Sequence, residues 1–188
     1  GLGPAHTPGN GVFENIHEVL SGHYLTIKLT PDKKIILEDY CYWKLRSKIH
    51  KDDYNATVMH TNFLIEDSIK NQMVSDIPIC TFLSGGLDSS LVSSIVNKHL
   101  GEKSLATYSF DFVDNNINFK ANSFQTTRDR PYVDIMKDYL HSKHHYLECN
   151  NKNQIECLFK AVDARDMPCM ADVESSMLYF CNLFVILL

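Results

Sequence analysis

Along residues 77–100 the spacing of apolar positions changes period. "IPICTFL" is a short, unbroken apolar run rich in β-formers. Beyond "SGG", Leu91, Val92, Ile95, Val96 and Leu100 recur every three or four positions, and Gly101 stands where a C′ glycine belongs. The pattern predicts a strand, a tight turn and a helix. With no polar residue alternating along it, the strand is expected in the middle of a sheet covered on both faces. The same reading extends both ways. "HYLTIKLTPDKKIILEDY" predicts two strands around a turn at Pro31-Asp32. Met59, Phe63, Ile65, Ile69 and Met73 mark a helix from about Asn55 that Ser75-Asp76 ends. "LATYSFDF" is a second strand, a helix opens at Pro131, and "HHYLEC" is a third strand. Helical patterns follow over Ile155–Val162 and Met177–Cys181, and "LFVILL" reads as a strand whose continuation lies outside this chain. Strand and helix alternate from residue 76 on, which predicts an α/β fold, a parallel sheet with helices on both faces. Before this alternation, the glycine- and proline-rich residues 1–12 read as loop, the hairpin as a small β segment, and the charged stretch that follows it as a linker.

A length of 188 residues supports one domain with an appendage. A net charge of −5 argues against a nucleic-acid footprint. The basic run Lys44, Arg46, Lys48, His50, Lys51 reads as a solvated linker. None of the six cysteines forms a C-x-x-C pair, which leaves zinc and thioredoxin chemistry without support. With no signal peptide and no run of eighteen apolar residues, a reduced cytoplasmic setting is expected.

The turn itself carries the candidate chemistry. At the carboxyl edge of a parallel sheet, a strand-to-helix turn is where ligands bind. Glycines allow close backbone approach, the unpaired N–H groups of the helix face an anion, and Ser84, Ser89 and Ser90 add hydroxyl donors. This is a phosphate or pyrophosphate cradle. Asp88 would repel phosphate unless a divalent cation lies between them; alternatively it caps the helix. The Walker, G-x-G-x-x-G and G-x-S-x-G motifs all fail here, the last because Phe82 holds its first glycine position. His144 and His145, adjacent on a strand, point to opposite faces and read as structural.

The string Ser84-Gly85-Gly86-Leu87-Asp88-Ser89 resembles the S-G-G-x-D-S loop of the ATP pyrophosphatase superfamily. With its flanks, "VSDIPICTFLSGGLDSSLV", it is similar to the synthetase domain of glutamine-dependent asparagine synthetases. "LGPAHTPGNGVFENIHEVLSGHYL" resembles the end of that family's glutaminase domain, and "RDMPCMADVESSMLYFC" its substrate-side helix. The resemblance implies an adenine nucleotide α-hydrolase-like fold. It implies that residues 1–50 are the remnant of a glutaminase domain plus linker, and 51–188 the first part of an ATP-binding synthetase domain. The implied activity is that of a carbon–nitrogen ligase, an asparagine synthase with glutamine as amide donor. Aspartate is adenylated on its side-chain carboxylate with release of pyrophosphate, and ammonia from glutamine then displaces AMP. Carried over by position, Ser84, Gly85, Gly86, Asp88 and Ser89 hold pyrophosphate and Mg²⁺, with Asp88 as the catalytic and metal-binding residue. Leu83 offers backbone to ATP, and the strand at Phe110 meets adenine through main chain.

The implied partners are small molecules, with neither nucleic acid nor membrane; the apolar end and an uncovered sheet edge are places where a second copy could associate. Three family parts have no counterpart here: the amino-terminal cysteine nucleophile, the S-G-E-G-x-D-E segment and a distant lysine. Glutamine hydrolysis and complete catalysis are therefore expected to need more chain. In place of the family's T-T-x-R string stand Pro168-Cys169-Met170-Ala171, followed by the acidic Asp172 and Glu174. That leaves two alternatives beside aspartate activation: a ligase for another carboxylate, such as a β-lactam-forming relative, or a nucleotide-binding module without catalysis.

Overall fold

The computed structural model describes residues 7–101, 105–123, 125–166 and 177–179. The substrate-side string from 167 to 176 and the final apolar run lie outside them. The chain forms two compact units, Gly1–Lys51 with Val162–Met170, and Asp52–Ala161 with Ala171–Leu188.

The first unit carries an antiparallel hairpin, β1 (His23–Leu29) and β2 (Ile35–Cys41). Its five-residue loop closes on Thr30, which pairs with the main chain of Lys34 through both backbone and hydroxyl, while Lys33 takes φ 63°. Register places Tyr24 opposite Tyr40, and their rings stack at 5.3 Å.

The second unit begins with α1 (Tyr54–Asn71), capped by the Asp53 carboxylate, which accepts from the Ala56 N–H at 2.8 Å. The helix ends at Asn71, before the Ser75-Asp76 boundary expected from the pattern. Its last turn tightens, with the N–H groups of Gln72 and Met73 donating to Ile69 and Lys70 three residues back. Strand β3 is Cys80–Phe82, shorter than the apolar run, because Pro78 has no N–H to give to a ladder. Then follow α2 (Leu87–Leu100), β4 (Ala106–Phe112), a single turn α3 (Asn115–Asn118), α4 (Arg130–Leu140), β5 (Lys143–Cys149) and α5 (Asn151–Arg165). The pattern did not announce α3, whose four residues are too few to show a period.

The three strands are parallel in the order β3-β4-β5. Among the described residues β4, not β3, is the central strand, and it is the more buried of the two. Right-handed crossovers between consecutive neighbours put α2 and α4 on one face. Two side-chain bonds mark that face: Thr81 to Ser93 of α2 at 2.8 Å, and the Tyr146 hydroxyl to Asp134 of α4. Tyr108 and Leu147 are buried on the other face, packed with Cys80, Ala106 and Phe110. Cys149 is buried on that same face, near enough to the buried Cys157 of α5 that burial first, and Cys157 second, push its thiol up. The expected α/β architecture, a parallel sheet flanked by helices, is therefore present.

The helix-facing side of the sheet is polar. His144 is held between two hydroxyls, Thr107 Oγ1 at 2.7 Å from Nδ1 and Ser109 Oγ at 2.9 Å from Nε2. Thr107 Oγ1 also lies 2.9 Å from the Ser142 hydroxyl. Burial first, then the positive charge of Lys137, pushes the His144 imidazole from 6.5 down to about 4. The folded state thus holds it neutral where the unfolded chain takes a proton. Its contribution is complete above pH 6.5, is lost as pH falls from there toward 4, and changes no further below. The ring is only half-buried and solvent screens it, so about 3 kcal/mol is the upper bound of the loss. Urea denaturation between pH 7 and 4 should show a smaller acid-dependent loss for His144→Gln than for the parent chain. Equal losses would remove His144 as the cause.

Candidate functional site

The loop leaving β3 is built by hydroxyl bonding and two glycines. Leu83, 1% exposed, extends the ladder by donating its N–H to Tyr108 O at 2.8 Å. Gly85 then takes φ +75°, a conformation that suits glycine, and lies directly on the first turn of α4. Gly86 is the N-cap residue of α2, and no side chain caps that helix. Ser84 and Ser89 clasp the loop, their hydroxyl oxygens 2.9 Å apart, and Ser89 Oγ also accepts from the Ser84 N–H at 3.2 Å.

Asp88 therefore is not the cap. It sits exposed in the first turn of α2, where the helix dipole favours a carboxylate. The first N–H groups of α2 have no carbonyl four residues back and face outward from the same loop. Serine hydroxyls, unpaired amides and one carboxylate clear of the cap make a surface that accepts an anion with its counter-cation.

A cavity of about 360 Å³ opens at this edge, within the size range of small-ligand sites. Phe82, Tyr108, Phe110, Phe112 and Tyr146 supply most of its apolar wall, and Ser84 brings the loop to it. Of the residues expected from sequence, Leu83, Ser84 and Phe110 line the cavity; Gly85, Gly86, Asp88 and Ser89 belong to the adjoining loop. Among the described residues β3 ends at Phe82 while β4 runs to Phe112, so beyond Leu83 the near edge of β4 has no strand beside it. Main-chain groups around Phe110 are thereby exposed to whatever fills the cavity.

The polar wall was not anticipated. It comes from Asp111 at the end of β4 and from Asp129 and Arg130 at the start of α4. Arg130 lies over the Tyr146 ring, 4.1 Å from its centroid, and Nη1 is 2.6 Å from Glu148 Oε1. The Glu148 contact raises the guanidinium's pKa still further. Asp111 accepts from the Phe112 N–H at 2.8 Å and from the Asn115 amide at 2.7 Å. Asp129 has its carboxyl pushed up, mainly by the surrounding protein and then by the charge of Asp111. The rule that ligands gather at the carboxyl ends of parallel strands would have pointed to these positions.

Among the described residues no three or more His, Cys, Asp or Glu side chains are grouped to hold a metal, and no helix is long and apolar enough to cross a membrane.

A parallel α/β sheet with an anion-accepting turn and an aromatic cavity at its carboxyl edge defines the class: a protein that binds its ligand at the strand ends. The asparagine synthase family model matches residues 60–185. The chain belongs to the asparagine synthase family. Over 185 residues, 97% of the chain, it is 40% identical to the glutamine-hydrolyzing asparagine synthetase 3 of Bacillus subtilis, of which it covers 29%. It is 33% identical over 115 residues, 61% of the chain, to the putative glutamine-hydrolyzing asparagine synthetase 2 of Methanocaldococcus jannaschii, covering 20% of that protein. With the glutamine-hydrolyzing asparagine synthetase B of Escherichia coli it shares 41% identity over 68 residues, 32% of this chain and 12% of that one. The chain thus spans less than a third of the length of each of these relatives.

Proposed function

We propose that the chain is the nucleotide-activating portion of a glutamine-dependent asparagine synthetase, a carbon–nitrogen ligase. The observation that supports this most is the Ser84–Ser89 loop, wrapped on the N-terminus of α2 and opening onto an aromatic cavity, in a chain of the asparagine synthase family. In this reading the adenine of ATP enters among the aromatic side chains, beside the main chain of Leu83 and Phe110. Ser84, Gly85, Gly86 and Ser89 hold the β- and γ-phosphates. Residues 1–50 are the end of a glutaminase domain and linker, and 51–188 begin the synthetase domain.

Mg²⁺ fits the donors present. Asp88 offers one exposed carboxylate beside the phosphate loop, and Mg²⁺ is commonly bound through one or two carboxylates plus substrate phosphates. When bound, it would neutralise phosphate charge. The loop amides and hydroxyls act on the leaving group: as the α–β bond breaks, they stabilise charge on pyrophosphate from preset positions. The attacking side-chain carboxylate of aspartate is already ionised near pH 7, so adenylation needs no general base. One carboxylate oxygen bonds to the α-phosphorus and pyrophosphate departs. Ammonia derived from glutamine then forms the C–N bond, and AMP departs.

The test is ATP–pyrophosphate exchange by the full-length protein. Aspartate-dependent exchange, with AMP and pyrophosphate as products, is expected. ADP as product would overturn the reading, and exchange dependent on another carboxylate would reassign the substrate.

A further inference from the structure

Among the described residues, Ser84, Ser109, Asp111, Arg130 and Tyr146 line the cavity with side chains that each have a partner within the protein. Ser84 is bonded to Ser89, Ser109 to His144, and Asp111 to Phe112 N–H and Asn115. Arg130 is bonded to Glu148, and the Tyr146 hydroxyl to Asp134. The Asp129 carboxylate lines the same cavity and makes no hydrogen bond or ion pair among the described residues. It also leaves its own helix uncapped, since Asp129 is the N-cap residue of α4 without a side-chain cap bond. Asp129 is exposed, so this carboxylate, which foregoes its nearest amide donors and lies next to Asp111, is solvated on its own and available to a donor from outside the protein.

Position narrows the donor. The aromatic groups line one part of the cavity, and Ser84 ties another part to the phosphate loop. Asp129 lies on the α4 turn that packs against Gly85, since the main chain of both Tyr132 and Val133 would meet a Cβ there, and their N–H groups donate to the Asp129 carbonyl. A nucleotide with its base among the aromatics and its phosphates on the loop must place its sugar between them. A ribose presents two adjacent hydroxyl donors, and a carboxylate presents two acceptor oxygens.

We propose that Asp129 recognises the ribose hydroxyls of the bound nucleotide and makes the site select ribonucleotides over deoxyribonucleotides. This inference rests on the nucleotide reading of the cavity. Arg130, the next residue, is held away by Glu148 and the Tyr146 ring and leaves Asp129 free for the sugar.

The test measures equilibrium binding of ATP and 2′-deoxyATP, each with Mg²⁺, to the full-length protein, to Asp129→Asn and to Asp129→Ala. The parent protein should favour ATP by a factor on the order of 10 to 100, the size of a hydrogen bond to a charged group. In Asp129→Ala the ratio should collapse toward one, because ATP loses the bonds of both ribose hydroxyls and 2′-deoxyATP loses only that of its 3′-hydroxyl; Asp129→Asn should fall between. A residue that only supports the fold would weaken both nucleotides alike and leave their ratio intact. An unchanged ratio in variants that still bind ATP overturns the sugar assignment alone. A parent protein that binds neither nucleotide overturns the nucleotide reading and this inference with it.

Discussion

Asp88→Ala in the full-length protein is expected to lower aspartate-dependent ATP–pyrophosphate exchange by a factor on the order of 10² to 10³, with the fold retained. Asp88 is exposed, and Gly86 occupies the cap position of α2, so the substitution removes no cap and opens no cavity. The folded state loses only a favourable interaction with the helix dipole, about 0.3–1 kcal/mol. The cost should fall where Mg²⁺ and phosphate charge must be balanced. Binding of ATP measured with and without Mg²⁺ separates these effects. The parent should bind more tightly with the metal, and the variant should lose that gain. If the gain survives in Asp88→Ala, another residue holds the cation.

Gly85→Ala should be the most damaging small substitution in the loop. Two costs combine. Gly85 has φ +75°, where an L-residue is disfavoured by about 1–2 kcal/mol. The added Cβ would also lie 2.5 Å from Tyr132 Cβ and 2.7 Å from both Tyr132 C and Val133 N, so α4 or the loop must shift. Overpacking of that kind costs about 1–3 kcal/mol, for a total of about 2–5 kcal/mol. Gly86→Ala is the matched control. Gly86 has φ −73°, and its added Cβ would meet only Ser84 Oγ at 3.4 Å. A cost below about 1 kcal/mol is expected there, from the poorer N-cap alone. Urea denaturation midpoints decide the matter. Similar losses at the two glycines would mean that the contact with α4 does not govern the loop's shape.

The elements that were legible in the sequence are those determined by neighbours along the chain. The helix over Leu87–Leu100 follows from its apolar period and the glycine at 101, and the start of α4 from Pro131. The failures have local physical causes. The end of α1 moved from Ser75-Asp76 to Asn71 because tight bonds to Ile69 and Lys70 close its last turn. The first strand shortened because Pro78 cannot donate. An apolar run suggested a central strand, yet among the described residues centrality belongs to β4; burial can come from helices and loops as well as from neighbouring strands. For His144 and His145 alternation was enough: one lies between two hydroxyls and the other stacks on Tyr108 at 4.9 Å.

The loop from Ser84 to Ser89 was legible as a candidate site in the sequence alone, because its chemistry is contiguous: glycines, hydroxyls and a helix start lie within six residues. The family, too, was legible in that string. The cavity beside it was decided by tertiary structure. Strand register sets Phe110 next to Leu147, and Asp111 next to Glu148. The packing of α4 against Gly85 brings Asp129 and Arg130 to the same edge. No local pattern marks such residues, since their proximity comes from parallel crossovers that join distant segments at one end of the sheet.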